Sequence, residues 1–155
     1  MSTKNSNFFS RDCMVQALIQ LLKTKSLSNI TITELTERAG VSRMTYYRNY
    51  HSLDDIFSSY LKDLVEYQEG QVVSKTLVQN DYVSMTIFSF DKGEEISTHA
   101  AGGDAMVTVL EGKGRFTVGD EVFYVEEGET LIMPKDIPHA VYGEERFKMQ
   151  LTVSF

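Results

Sequence analysis

Ser42, Arg43 and Thr45 open a short run ending at Tyr50 that also carries Tyr46, Tyr47 and Arg48. A helix that enters the major groove of DNA needs short hydrogen-bonding groups and one long two-pronged donor near its N-terminus. These three residues supply that set, with Arg43 suited to the edge of guanine. Thr31, Tyr46, Tyr47 and Arg48, with the amides that start the preceding helix, suit phosphate oxygens, which fix register without reading sequence. A blander reading makes Arg43 and Arg48 solvated charges and the tyrosines core; for Tyr47, packing and phosphate contact are equally good readings. Other chemistry is not indicated: the sequence has no Ser/His/Asp arrangement, no Gly-rich phosphate loop and no Cys/His nucleophile pair. Its single cysteine, Cys13, falls on an apolar helix and permits neither an internal disulfide nor a thiolate metal cluster.

The elements that would hold these residues are legible as helices. Met14, Val15, Ala17, Leu18, Leu21 and Leu22 recur at helical spacing, with Ser10 as the expected cap and Lys23 and Lys25 near the end. Thr31-Ile32-Thr33-Glu34 has the form of a capping box and begins a second helix, which Ala39-Gly40 should end. Ser42 then caps a third helix from Arg43 to about Tyr50, and the Gly40-Val41-Ser42 joint makes a helix-turn-helix. A fourth helix is expected after Ser52, with Asp54 and Asp55 in its first turn and Ile56, Phe57, Tyr60, Leu61, Leu64 and Val65 on one face. Leu35, Ala39, Val41 and Tyr47 are expected to complete the core.

The stretch from Thr31 to Tyr50, within a match running from about Ser10 to Leu64, resembles the TetR-type DNA-binding domain. Its A-G-V-S turn, hydroxylated residue, aromatic pair and Y-R-x-aromatic end stand in that family's order. The resemblance implies a double-stranded DNA operator as partner. In the loop before the fourth helix, where the family often carries a phosphate-binding lysine, this chain has Leu53, and His51 is the nearest substitute.

After about residue 66 the texture changes to alternating apolar residues, Gly-containing turns and both prolines. Strands are predicted over 72–78, 82–90, 105–110, 114–118, 121–125, 130–133, 140–142 and 147–155, with Gly119-Asp120 as a two-residue hairpin turn. So many short strands imply a closed barrel or sandwich. Gly93 to Gly112, with His99, and Gly128-x5-Pro134-x4-His139 follow the two motifs of the cupin family, which this region resembles. The resemblance implies a double-stranded β-helix barrel and, in metal-binding members, two histidines and a glutamate from the first motif and a histidine from the second. His99 and His139 fill the first and last places, while Ala101 and Ala105 stand at the other two. Asp104 is the one candidate third ligand. No cofactor is required on this reading, and a divalent metal at His99 and His139 is the minor alternative. The same histidines would face an interior lined by Met85, Met106, Met133 and Tyr142, a small-molecule pocket; the competing reading makes them residual, bonded to neighbours, and the methionines core.

Length and charge agree with two domains. The 155 residues are 42% apolar and 24% charged, and no segment approaches the roughly 18 apolar residues of a membrane span. The polar start, with no signal-like segment, leads us to expect a cytoplasmic protein with no membrane partner. The net charge is −7, which argues against nucleic acid until the chain is divided: residues 1–62 carry +3 and residues 63–155 carry −10. The expected fold class is therefore α+β, with an all-α helix-turn-helix domain over 8–64 followed by an all-β cupin barrel over 66–155. The expected function is a transcriptional regulator, a repressor, whose barrel senses a small effector and supports a homodimer while its charge keeps it off the phosphates. Two alternatives stand beside it. One is a small metal-dependent cupin oxygenase or isomerase with a helical assembly appendage; the other is a binding module whose DNA-reading helix has decayed, suggested by Leu53.

Overall fold

The computed structural model describes residues 3–155, with side chains from Phe9 onward. The chain divides into two compact units, one ending at Tyr60 and the other starting at Leu61.

The first unit is helical. Helix α1 spans Thr3–Leu22, a 3-10 turn spans Leu27–Asn29, and α2 (Ile32–Ala39), α3 (Arg43–Asn49) and α4 (Leu53–Asp63) follow. Ser10 lies inside α1 and does not cap it: no Gly or Pro interrupts the residues ahead of it, so the helix continues toward the N-terminus. At α2, the Thr31 hydroxyl accepts from the Glu34 amide at 3.2 Å, and Gly40 ends the helix at φ 66°, a left-handed conformation that costs a glycine little. At α3, the Ser42 hydroxyl accepts from the Thr45 amide at 3.1 Å. The Ser52 hydroxyl does the same for Asp55 at the start of α4, while the Asp55 carboxylate accepts from the amides of His51 and Ser52. The core joins Met14, Leu18 and Leu21 of α1 to Leu35, Tyr46, Tyr50 and Ile56.

The second unit is a β-sandwich of nine strands: β1 (Val72–Gln79), β2 (Val83–Phe90), β3 (Glu95–His99), β4 (Asp104–Glu111), β5 (Lys113–Val118), β6 (Glu121–Glu126), β7 (Thr130–Met133), β8 (His139–Tyr142) and β9 (Phe147–Ser154). One sheet has the order β1-β2-β9-β4-β7 and the other β3-β8-β5-β6, with every neighbouring pair antiparallel. Strand β3 is the element that apolar alternation does not reveal: in Glu95-Ile96-Ser97-Thr98-His99 only Ile96 packs on the core. Elsewhere alternation sorts the faces. Ala105, Val107 and Val109 of β4 meet Met149 and Val153 of β9 inside, whereas Asp104 and Met106 point away. At one end of the interior the Phe90 and Phe147 rings stack at 4.5 Å and Phe116 meets Phe147 edge-on. A second apolar cluster, Leu61, Leu64 and Val65 against Ile87 and Leu110, covers part of the outer face of the five-stranded sheet. No helix among the described residues is long and apolar enough to cross a membrane.

Candidate functional site

The helical unit presents one face of α3 to solvent. Ser42, Arg43 and Arg48 are exposed and Thr45 is half-buried, its hydroxyl 3.0 Å from that of Ser42. Among the described residues no carboxylate engages Arg43 or Arg48, whereas Lys25 is paired with Glu34 at 2.6 Å and Arg38 reaches Gln20. Two free guanidiniums on a seven-residue helix are thus available to an external anion or base edge. Met44, 76% exposed, lies beside them and offers the kind of apolar contact that a thymine methyl takes. An apolar residue type carries no signal for this exposed position, so Met44 is not among the residues the sequence singles out. Of the residues expected to meet phosphate, Thr31, Tyr47, Arg48 and His51 are all exposed.

The two tyrosines correct the expectation. Tyr46 is fully buried, meets the Tyr50 ring at 5.9 Å and cannot reach a phosphate. Burial pushes its phenol above the usual pKa, and its hydroxyl has no hydrogen-bond partner among the described residues. Tyr47, expected to complete the core, is 59% exposed, with the edge of one of the two rings against the face of the other at 5.3 Å. Consecutive helical positions are about 100° apart, so only one ring of the pair can point inward, and α3 turns Tyr46 that way.

In the β unit, His99 and His139 face one another across the β3–β8 pair, ring centroids 4.5 Å apart. A register shift between Ile96 and His99 brings the His99 ring to its partner. The loop ahead of His139 is pinned at three points: the Asp136 amide donates to Ala101 O at 3.0 Å, the Lys135 amide to the Asp104 carboxylate at 2.9 Å, and the Gly119 amide to Pro138 O at 2.8 Å. Asp136 takes φ 61°, the one non-glycine residue in the left-handed region among those described. Each imidazole places Nδ1 2.9 Å from the carbonyl two residues back, Ser97 for His99 and Ile137 for His139. A carbonyl only accepts, so Nδ1 carries a proton in both rings, and in the neutral form Nε2 keeps the lone pair. His139 is buried and His99 exposed, so the pair runs from the surface inward. The facing sheet contributes Ala105, Met133 and Val153 at this end, opposite the stacked phenylalanines.

Four expected pocket residues lie elsewhere. Asp104 sits on the outward side of β4, next to inward Ala105, and its carboxylate is taken by the Lys135 amide, so it is no third ligand. Tyr142 points outward because Val141 fills the inward place on β8, and the Arg115 guanidinium lies 4.4 Å over its ring. Met106 is likewise outward and exposed, and Met85 shares that outer face. Met133 is inside, as part of the packed core.

The donor set does not complete a metal site. Ala101 and Ala105 offer no ligand atoms, and among the described residues no group of three or more His, Cys, Asp or Glu side chains could hold a metal ion. What remains is a pair of oriented imidazoles bordering an apolar interior.

Two antiparallel sheets of this strand order around one apolar core, with an imidazole pair at one end, define a cupin-type barrel. The cupin domain family model matches residues 86–155. A conserved protein of unknown function from Streptococcus pyogenes is 46% identical, with 61% of this chain and 82% of that chain covered and a TM-score of 0.59. A cupin superfamily protein from Desulfitobacterium hafniense is 33% identical over 60% of this chain and 85% of that one, with a TM-score of 0.58. A cupin 2 conserved barrel domain protein from Leptotrichia buccalis is 48% identical, covering 61% of this chain and 46% of the other, with a TM-score of 0.60. The chain belongs to the cupin family through its second unit. No curated protein matches it.

Proposed function

We propose that the chain is a DNA-binding transcriptional repressor, with a TetR-type helix-turn-helix over 8–64 and a cupin domain over 66–155 that senses a small effector. The observation that carries this reading is the solvent face of α3, where Arg43 and Arg48 stand, among the described residues, without carboxylate partners beside Ser42 and Met44. It has the sequence features of the TetR resemblance, and its guanidiniums have the geometry for base edges and phosphates. The +3 charge of residues 1–62 favours a duplex partner despite the chain's −7. The imidazole pair is the place this reading assigns to the effector, which would present a hydrogen-bond donor to Nε2 and would need no metal. Action on genomic DNA places the protein in the cytoplasm.

The test is fluorescence anisotropy with genomic fragments neighbouring the gene, with metal content assayed on the same preparation. A fragment preference that Arg43→Ala reduces by about tenfold or more supports the reading, since a guanine contact contributes about 1–3 kcal/mol. Equal, weak association with every fragment points to a decayed DNA-reading helix. No association, together with stoichiometric metal and turnover lost in His139→Ala, would replace the regulator by a cupin enzyme.

A further inference from the structure

The outer face of the four-stranded sheet borders a cleft of about 470 Å³, the size of a small-molecule site, lined by Lys92, Lys113, Arg115, Tyr124, Glu144 and Glu145. Gly114 and Phe116 of β5 are buried inward, which turns Lys113 and Arg115 to this outer face. In register, Arg115 stands between Tyr142 of β8 and Tyr124 of β6. Its guanidinium lies 4.4 Å over the Tyr142 ring, and Glu144 is 3.5 Å away. Among the described residues that guanidinium makes no hydrogen bond, so a fork suited to a carboxylate is positioned with its donors unspent. Beside it the Tyr124 ring is 52% exposed.

Charge is distributed unevenly around this face. Residues 63–155 carry seven Lys or Arg against seventeen acids, yet three of those seven line the cleft. Lys113 is paired with Glu126 at 2.9 Å and Arg115 with Glu144. Lys92 and Glu145 line the same cleft, both exposed, and among the described residues neither side chain has an ion-pair partner. We propose that the cleft binds a free α-amino acid with a flat aromatic side chain. The ligand carboxylate takes the Arg115 fork with Lys92 beside it, the ammonium takes Glu144 and Glu145, and the ring lies against Tyr124. Charge decides against other flat ligands. A phosphate dianion would add to a unit already at −10, and an aryl carboxylate would leave Glu145 facing another anion. A zwitterion adds no net charge and answers both signs. The cleft is on the opposite face of the β3-β8-β5-β6 sheet from buried His139, so the inference goes beyond the readings of α3 and of the imidazole pair and rests on neither.

Isothermal titration calorimetry of the full chain with L-phenylalanine tests it. The expected result is one site per chain with a Kd below about 1 mM. Hydrocinnamate lacks the ammonium and phenethylamine the carboxylate, and each should bind about tenfold more weakly or worse, because it leaves charged groups of the cleft unanswered. Arg115→Gln, Lys92→Gln and Tyr124→Ala should each weaken L-phenylalanine about tenfold or more. Lys75→Gln, which removes an exposed cation from β1 of the other sheet, should leave binding unchanged. Circular dichroism melts show which variants remain folded, and the exposed positions Lys92 and Tyr124 carry the test where Arg115→Gln unfolds. No heat from L-phenylalanine up to about 10 mM overturns the proposal. So does binding that Lys92→Gln and Tyr124→Ala both leave intact, or hydrocinnamate that binds as tightly as L-phenylalanine. DNA affinity is not read in this experiment, so loss of the repressor reading and loss of this site give different results.

Discussion

At the scale of single residues, Tyr46 and Tyr47 show how neighbours of one type take different work. The buried Tyr46 hydroxyl finds no partner among the described residues, and leaving a buried polar group unpaired costs about 1–3 kcal/mol. Tyr46→Phe is therefore expected to keep or raise the urea midpoint and to leave DNA affinity unchanged, whereas Tyr47→Ala should weaken DNA binding with little change in stability. A Tyr46→Phe variant with lost DNA binding would return that hydroxyl to the interface. Gly103 is constrained by space: a Cβ there would stand 2.1 Å from Ser154 O, a backbone atom that cannot swing aside. Gly103→Ala should cost about 2 kcal/mol in denaturant unfolding, in the range of overpacked sites. Asp91 is constrained by charge. Its carboxylate accepts from the Gly70 amide at 2.7 Å and from Arg146 Nε at 2.5 Å, and these bonds, the Gly70 amide foremost, hold its pKa below the ordinary carboxylate value. A lowered folded pKa contributes stability above the unfolded value of about 3.9, and that stability is lost as the pH falls through the lower folded value. The melting-temperature difference between the wild type and Asp91→Asn should thus be full at neutral pH and shrink below about pH 4.

At the scale of elements, the caps of α2 and α3 were legible because each uses one residue type at one spacing, whereas Ser10 is no cap because α1 starts before it. Thr31, Gly40 and Ser42 do what their positions predict, and Ser42→Ala should cost about 1 kcal/mol by loss of the bond to the Thr45 amide. A calorimetric change near zero would show that the hydroxyl is not holding α3. The strands with strict alternation, such as β4, were readable for the same reason. What could not be read was any direction that depends on a neighbour. Strand β3 has one core residue, so its pairing with β8 had to come from tertiary structure. Asp104 and Tyr142 lie near the histidines in sequence, yet strand parity turns each to the outer face, beside inward Ala105 and Val141. The tautomers of His99 and His139 were equally invisible, because they are fixed by carbonyls that only the folded loop and strand bring into place.

At the scale of the whole molecule, net charge misleads and its distribution informs. A chain at −7 has no long-range attraction for DNA, so any affinity must come from local contacts of Arg43, Arg48 and their neighbours, within roughly a Debye length of about 8 Å. That condition fixes the salt response. Each neutralised phosphate releases condensed counterions and adds about −0.9 to the slope of log K against log salt. With the short phosphate set Thr31, Tyr47, Arg48 and His51, of which only Arg48 is always cationic, the slope per bound copy should be shallow, about −1 to −3. Arg48→Gln should reduce its magnitude by about 1 and weaken all fragments alike, while Arg43→Ala should narrow the gap between specific and unrelated fragments. Titrations at several salt concentrations separate the two effects. A slope near zero would mean that the exposed guanidiniums of α3 do not meet phosphate, and a much steeper one would require cations outside this helix.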